Sequence, residues 1–430
     1  MRWQLLKSFD KIWVIDLHGS LNRKEEAPGG AGDKNVFDIK PGVSILIGVR
    51  KGLGSDTLAK VYHTDIWGSR ERKSEILFSS DLQSLACSQI VPESPHYMLI
   101  PWDYVTDREF RKGFSLEDAM PVHSNGIVTG GDRNFVANDQ AVLRNRFGDG
   151  ADIEPLSYRP FEQSFLLNDP SKLERDRSEV MDHYRLGDNI GLLTSKAFND
   201  VDFAHAFVTK HPSEAIFLSG TSGSNAMNFP LWLHRKNDFE KSTPNLSPRL
   251  RSELAKILGR QPEAWEIFDY IYGVLHCPAY RRKYRQALSI AYPHIPYPAS
   301  QDVFRDIGEK GEQLRRLHLM EEAAIGDAPY PYHGDGDDVV ATGFPRFVNG
   351  RVLINKDQYF ADVPQVAWAF QVGGYQPAQK WLKDRRGQAL SWDDIGRYQK
   401  IVKVLAETDR LMRSIVLPID GGLVAGTSTS

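Results

Sequence analysis

Cysteine is almost missing from this sequence of 430 residues: Cys87 and Cys277 stand far apart, with no C-x-x-C spacing. That argues against a disulfide framework and against a cysteine zinc site, and it fits a reducing cytoplasm. Long apolar runs are missing too. None approaches the ~20 residues needed to span a bilayer, and Lys7, Asp10 and Lys11 interrupt any signal-peptide core. No sign of charge dominates: the formal net charge is -3, the pI about 6.5, and 25% of residues are charged. Near-neutrality leaves a polyanionic partner open, because a basic groove can be balanced by an acidic far face. Internal repeats are absent, as are the G-x-x-x-x-G-K-[ST] phosphate loop, the H-E-x-x-H zinc helix and the G-x-S-x-G nucleophile elbow.

What is present begins with two apolar runs, Ile12–Leu17 and Val43–Val49, each too unbroken to alternate in and out. Such runs predict strands buried on both faces in a helix-covered sheet. Met1–Ser8 leaves room for a helix of only about two turns, so the earlier strands of that sheet are expected to lie outside this sequence. Lys60–Asp65 is expected to add a third strand at the edge. Between the two runs, His18–Asp33 is a glycine-rich polar loop at a strand end, a position that can line a cleft in open α/β sheets and more often merely connects.

From Phe110 the texture changes to short β-rich runs: Asn189–Thr194, His205–Thr209, Glu214–Ser219 and Phe229–His234. Past Ser247 the spacing is helical, with Leu250, Leu254 and Leu258 on one face and Gly259 as the stop. A second stripe runs Trp265–Leu275, opened by Pro262 and closed by Pro278, and a third helix starts at Ser300. Asp327–Thr342 reads as a linker or surface loop. Asn349–Gly350 between apolar runs signals a hairpin. Ser391 with Asp394 three residues on opens a final helix as a capping box.

Chemistry is sparse. Glu71-Arg-Lys73 below Asp65 mimics a nuclease E-x-K, but the spacing favours a solvated helix start, and His18 and His63 have no neighbouring ligands in the chain. No metal set is therefore expected. Three basic and aromatic stretches suit a nucleic-acid surface, since phosphates need Lys or Arg and unstacked bases need flat partners: Tyr280–Arg285, Lys172–Arg177 and Lys380–Arg386. For the last two, a helix face with neutralising acids explains the residues equally well.

A set of stretches in fixed order carries a resemblance. They are Ile12-Trp-Val-Ile-Asp-Leu-His-Gly19, Asn35–Val43, Ser124-Asn-Gly-Ile-Val-Thr-Gly130, Tyr158-Arg-Pro-Phe161, Asn189–Thr194, Phe229–Leu233, Tyr270–His276, Val372-Gly-Gly-Tyr-Gln376 and Lys380-Trp-Leu-Lys383. Together they resemble the C-terminal half of Type ISP restriction-modification enzymes, which join nuclease, translocase, adenine-N6 DNA methyltransferase and target-recognition domain in one polypeptide. The resemblance implies that the first two stretches are late strands of the methyltransferase sheet. The family's F-x-G-x-G and N-P-P-Y motifs do not occur here, so no catalytic or cofactor-binding residue is expected. S-adenosylmethionine is expected for a complete enzyme and no cofactor for this chain alone.

The implied fold class is α/β and α+β, multi-domain. Residues 1–109 form a partial Rossmann-like methyltransferase sheet, 110–243 a mostly β target-recognition domain and 244–326 a helical support. Residues 327–420 supply a hairpin plus the last helix, and 421–430 a frayed tail. The implied partner is double-stranded DNA, with no membrane. Arg159, Arg177 and Lys196 are candidates for phosphate or guanine, and Asn199, Ser222, Ser224 and Asn225 for base edges. The alternatives are a domain-locking ion pair for Arg159 and turn formation for the serines. Two departures from the family stand out: Arg133 beside a glycine turn, and Phe165-Leu-Leu167 where tyrosines are expected. Three readings remain open: the specificity part of a methyltransferase, a free-standing specificity subunit pairing with a separately encoded catalytic half, and an inactive remnant. An independent hydrolase using Asp65, Glu71 and Lys73 is the weakest competitor.

Overall fold

The structure is a computed structural model and describes residues 1–21, 25–51, 57–196, 198, 202–218, 225–235 and 238–419. The chain forms two compact units, one of Met1–Arg108 and one that begins at Glu109.

In the first unit the strand Lys11–Asp16 is central. Ile12 and Val14 face one apolar cluster with Leu6, Ala59 and Val61, while Ile15 faces another with Leu17 and Ile66. Burial on both faces thus follows from the unbroken run. Its neighbours are Ser44–Val49, antiparallel, and Lys60–Asp65, parallel. Two expectations are corrected here. Ser44–Val49 is not buried on both faces: it ends the sheet among the described residues, and Leu46 is 43% exposed, although the Phe9 ring lies over Gly48 on the same face. Lys60–Asp65 is not the edge, because Ser88–Ile90 pairs antiparallel beyond it. The short helix at Arg2–Ser8 is as long as the sequence allows.

Lys73 pins the loop that leaves the central strand. Its ammonium is fully buried, pairs with Asp33 at 2.7 Å and donates to the carbonyls of Leu17 (2.6 Å) and Lys34 (2.7 Å). Three acceptors replace the water it gives up, which a buried charge requires. Lys73 and the exposed Glu71 therefore point opposite ways, and the E-x-K arrangement does not form.

The second unit holds a large apolar cluster that runs from Phe110 to Ile419 and a smaller one of Ile127, Leu156, Leu166, Leu173, Val180 and Met181. Its helices match the sequence pattern. Pro248–Leu258 is capped by Ser247 and stopped by Gly259 at φ +68°, and Ser391 with Asp394 forms the capping box of Trp392–Ser414. The helices Ala264–His276 and Gln301–His318 touch backbone to backbone. A Cβ added at Gly311 would lie 1.9 Å from the Asp269 carbonyl oxygen, and one at Gly273 would lie 2.5 Å from that of Ile307. The Arg346–Val348 and Arg351–Leu353 hairpin turns at Asn349 (φ 47°) and Gly350 (φ 76°), both left-handed as this turn demands.

The 110–243 stretch is less β-rich than expected. Gly191–Thr194 is flanked by Ala206–Thr209 and Met227–Pro230, with Ser124–Asn125 at the edge. Phe229–His234 divides between two strands, Met227–Pro230 and Trp232–Arg235. Glu214–Leu218, expected as strand, is turn instead. The Glu214 carboxylate accepts from the Ile216 amide at 2.8 Å and from Arg159, which folds the chain back after a single bridge to Ile127. Helices Gln140–Phe147 and Ser178–Arg185 were not expected, being too short for a periodic stripe. Among the described residues, no helix is long and apolar enough to cross a membrane.

Candidate nucleic-acid interface

The site is built from the chain that leaves Ser124–Asn125. Ile127 is fully buried, Val128 exchanges two 2.9 Å backbone bonds with Arg175, and the chain turns at Gly130 (φ +71°). The turn is held by side chains: Thr129 Oγ1 accepts from the Gly131 amide at 3.1 Å and donates to Asp132, whose other oxygen accepts from the Tyr158 hydroxyl at 2.9 Å. Arg133 follows at once and is exposed. Arg146, on the Gln140–Phe147 helix, donates to the Arg133 carbonyl at 2.9 Å and to that of Asn134. Three arginines far apart in sequence, 133, 146 and 175, thus gather around one rigid turn. All three are exposed, and no described acid pairs with any of them. Arg133 lines a cleft of about 530 Å³ with Val128–Gly131, Asp132, Asn134 and Glu214, so the cleft itself carries two acids beside the one arginine, and Arg146 and Arg175 lie outside its lining. Exposed arginines gathered around one turn suit phosphate oxygens, and Arg146 is already oriented there by its two carbonyl bonds.

Beneath the cleft lies Arg159, which takes the alternative role. Its guanidinium donates to Glu214 at 2.7 Å and to the Tyr158 carbonyl at 2.5 Å, and lies over the Tyr158 ring at 4.1 Å. Only 11% of its side chain is exposed. Burial pushes Glu214 up to about 7 against the pull of Arg159, and raises Tyr375 to about 12. Arg159 supports the turn from inside.

The other candidates divide. Lys196 is exposed, with Nζ 5.1 Å over the ring of Tyr292, and Asn225 is exposed beside it, its carbonyl accepting from Ser195 Oγ at 3.3 Å. These two meet at the ends of adjoining strands. Arg177 sits in left-handed conformation before the Ser178–Arg185 helix, half-buried, 3.9 Å from Glu179. Asn199, Ser222 and Ser224 lie outside the described residues.

The basic and aromatic stretches also divide. In Tyr280–Arg285 both tyrosines are buried, Arg281 donates to the Leu275 carbonyl at 2.6 Å, Lys283 pairs with Glu109 at 2.7 Å and Arg285 lies 3.4 Å from Asp202, so of the four basic groups only Arg282 and Arg285 are exposed. In Lys380–Arg386, Arg385 grips Glu162 with two 3.1 Å bonds and stacks on buried Trp381 at 3.5 Å. A cleft of about 810 Å³ between Lys112 and Lys256 carries Asp118 and Glu253 as well, so it presents no single sign. Arg146 and Arg175 were missed as a group because their meeting depends on a bridge between Val128 and Arg175. The signals in the sequence were Arg133 beside the glycine turn and the basic stretch Lys172–Arg177, which contains Arg175.

A sheet-and-helix unit that displays fixed arginines around a turn is the build of a nucleic-acid recognition module. Residues 137–414 match the Type ISP C-terminal specificity domain, and the chain belongs to that family. No curated protein sequence matches it. Among solved structures, the DrdV–DNA complex aligns with a TM-score of 0.78 at 18% identity, covering 96% of this chain and 48% of that one. The Type ISP enzyme LlaBIII bound to DNA gives 0.74 at 17%, covering 96% and 31%. A nuclease-deletion mutant of LlaGI with a DNA substrate mimic gives 0.71 at 17%, covering 96% and 37%. The chain therefore spans less than half of each, and at these identities the likeness establishes the fold.

Proposed function

We propose that this chain is the DNA-specificity part of a Type ISP adenine-N6 methyltransferase and restriction system. The observation that carries the reading is the trio Arg133, Arg146 and Arg175, unpaired by described acids around a rigid turn, in a chain of the specificity-domain family. The arginines hold the phosphate backbone and set the register. Lys196 and Asn225 are placed to reach base edges or the adjoining phosphate, an amide being able to pair with adenine through both its polar atoms. The same DNA-bound fold in DrdV, LlaBIII and LlaGI supports a duplex partner.

The Met1–Arg108 unit is read as late strands of a Rossmann-like methyltransferase sheet. S-adenosylmethionine and the flipped adenine belong to the segment bearing F-x-G-x-G and N-P-P-Y, motifs this sequence does not contain. The edge of Ser44–Val49, unpaired among the described residues, supports completion of the sheet by such a segment, in the same polypeptide or a separate one. Titrating the full chain with duplex DNA at rising salt tests the reading: affinity should fall steeply and linearly in log–log form. A folded sample that ignores duplex at low salt overturns it. Co-purification with a protein bearing N-P-P-Y identifies the separate-subunit version.

A further inference from the structure

Two histidines that have no neighbours in the sequence acquire them in the fold. The parallel strands Lys11–Asp16 and Lys60–Asp65 pair in a register that sets Asp16 opposite Asp65 and Val14 opposite His63. His63 and Asp65 lie two residues apart and so share a face of the sheet. Donor atoms of Asp16, His63 and Asp65 all fall within 4.8 Å of one another. His63 Nδ1 is 3.8 Å from Asp65 Oδ2, beyond hydrogen-bond reach.

His63 is 96% buried by its 4% exposure, and its Nε2 has no hydrogen-bond partner. A buried imidazole that makes no hydrogen bond is costly and calls for an explanation. Both carboxylates, by contrast, remain reachable from solvent, at 29% exposure for Asp16 and 43% for Asp65.

A second layer of contacts orients the carboxylates. His18, left-handed at φ 51°, bonds Asp65 Oδ1 through Nε2 at 2.8 Å, and its backbone amide donates to Asp16 Oδ1 at 3.0 Å. Its ring is stacked on Trp67 with centroids 3.4 Å apart. Ligating carboxylates are ordinarily held by such outer hydrogen bonds. The place is also where open α/β sheets bind ligands, at the carboxyl ends of parallel strands.

The geometry points to a binding site for one divalent transition-metal ion, held by Asp16, His63 and Asp65 with His18 as the positioning residue. One imidazole and two carboxylates form a nitrogen and oxygen set suited to Zn²⁺ or Mn²⁺. Metal–ligand bonds of about 2.0–2.2 Å need donors no further apart than small carboxylate rotations would bring these. The ion, taken by Nδ1, the ring nitrogen nearest Asp65, would tie together the two parallel strands on which the unit is built.

The test uses the full chain, stripped with a chelator and titrated calorimetrically with Zn²⁺ and, separately, with Mn²⁺. The expected result is one saturable site per chain, a metal-dependent rise in melting temperature, and losses of about tenfold or more in affinity for His63→Gln and for Asp65→Asn. His18→Gln should weaken binding less. Because a variant can misfold, the wild-type chain gives a second readout: Mn²⁺ should broaden the ring resonances of His63 and His18 before those of the other histidines. Absence of saturable binding, unchanged affinity in both ligand variants, or broadening that spares His63 would each overturn the site.

Discussion

Tyr280–Arg285 and the Gly130 turn make opposite use of the same residue types. The first packs four basic groups and two tyrosines into six residues, yet it buries both rings, Arg281 and Lys283 in internal contacts. The second draws single arginines from three separate segments and leaves all three in solvent. Concentration of charge in the chain is therefore a poor guide to where a polyanion can dock. What counts is whether an acid already neutralises each cation and whether its side chain still reaches solvent: Arg146 donates to two carbonyls yet stays exposed with no described acid beside it. Arg159, within a family motif, and Arg385, just past one, make the same point: each pairs with a glutamate and lies over an aromatic ring.

Removing a committed cation should give the largest effect, and it should fall on stability. Arg159→Ala leaves Glu214 buried without its partner and should cost about 3–5 kcal/mol, read from urea midpoints. An unchanged midpoint would place Arg159 among the free cations. Gly311→Ala forces a methyl against the Asp269 carbonyl and should cost ~1–3 kcal/mol or more; a neutral outcome would mean that the two helices part easily.

Acid should act on the same core. His318 is fully buried between Tyr272 and Thr408, and burial holds its pKa near 3, with His276 also well below the ordinary range. Between pH ~6.5 and pH 3 the unfolded chain binds imidazole protons that the folded chain refuses, so the contribution of these histidines to stability falls as pH drops through that window, against an opposite contribution from Glu214, whose raised carboxyl takes up its proton first in the folded state. His318→Gln should flatten the slope, and midpoints at pH 5 and pH 7.5 decide the matter. The smallest effect belongs to Lys196→Ala, which should lower the salt slope of duplex binding by about 1 without touching stability.

Long elements were legible because their periodicity is local. The Ser391 capping box, the Gly259 stop and the Asn349–Gly350 turn each involve residues within a few positions of one another. Glu214–Leu218 was misread because an apolar run carries no trace of the Arg159 ion pair that bends it. The arginine trio and the Asp16–His63–Asp65 group share the same limitation. Each exists only through a pairing register, Val128 with Arg175 in one case and Asp16 with Asp65 in the other, which no single stretch encodes.

The most direct measurement is duplex affinity against salt for the full chain, for Arg133→Ala/Arg146→Ala/Arg175→Ala, and for Arg282→Ala/Arg285→Ala, all shown to be folded by circular dichroism. At ~0.9 per neutralised phosphate, the triple variant should lose roughly 2–3 from the log–log slope, while the double variant, in which Arg285 already pairs with Asp202 at 3.4 Å in the parent, should lose about 1 at most. Equal slopes for parent and triple variant, or a larger loss in the double variant, would contradict the account.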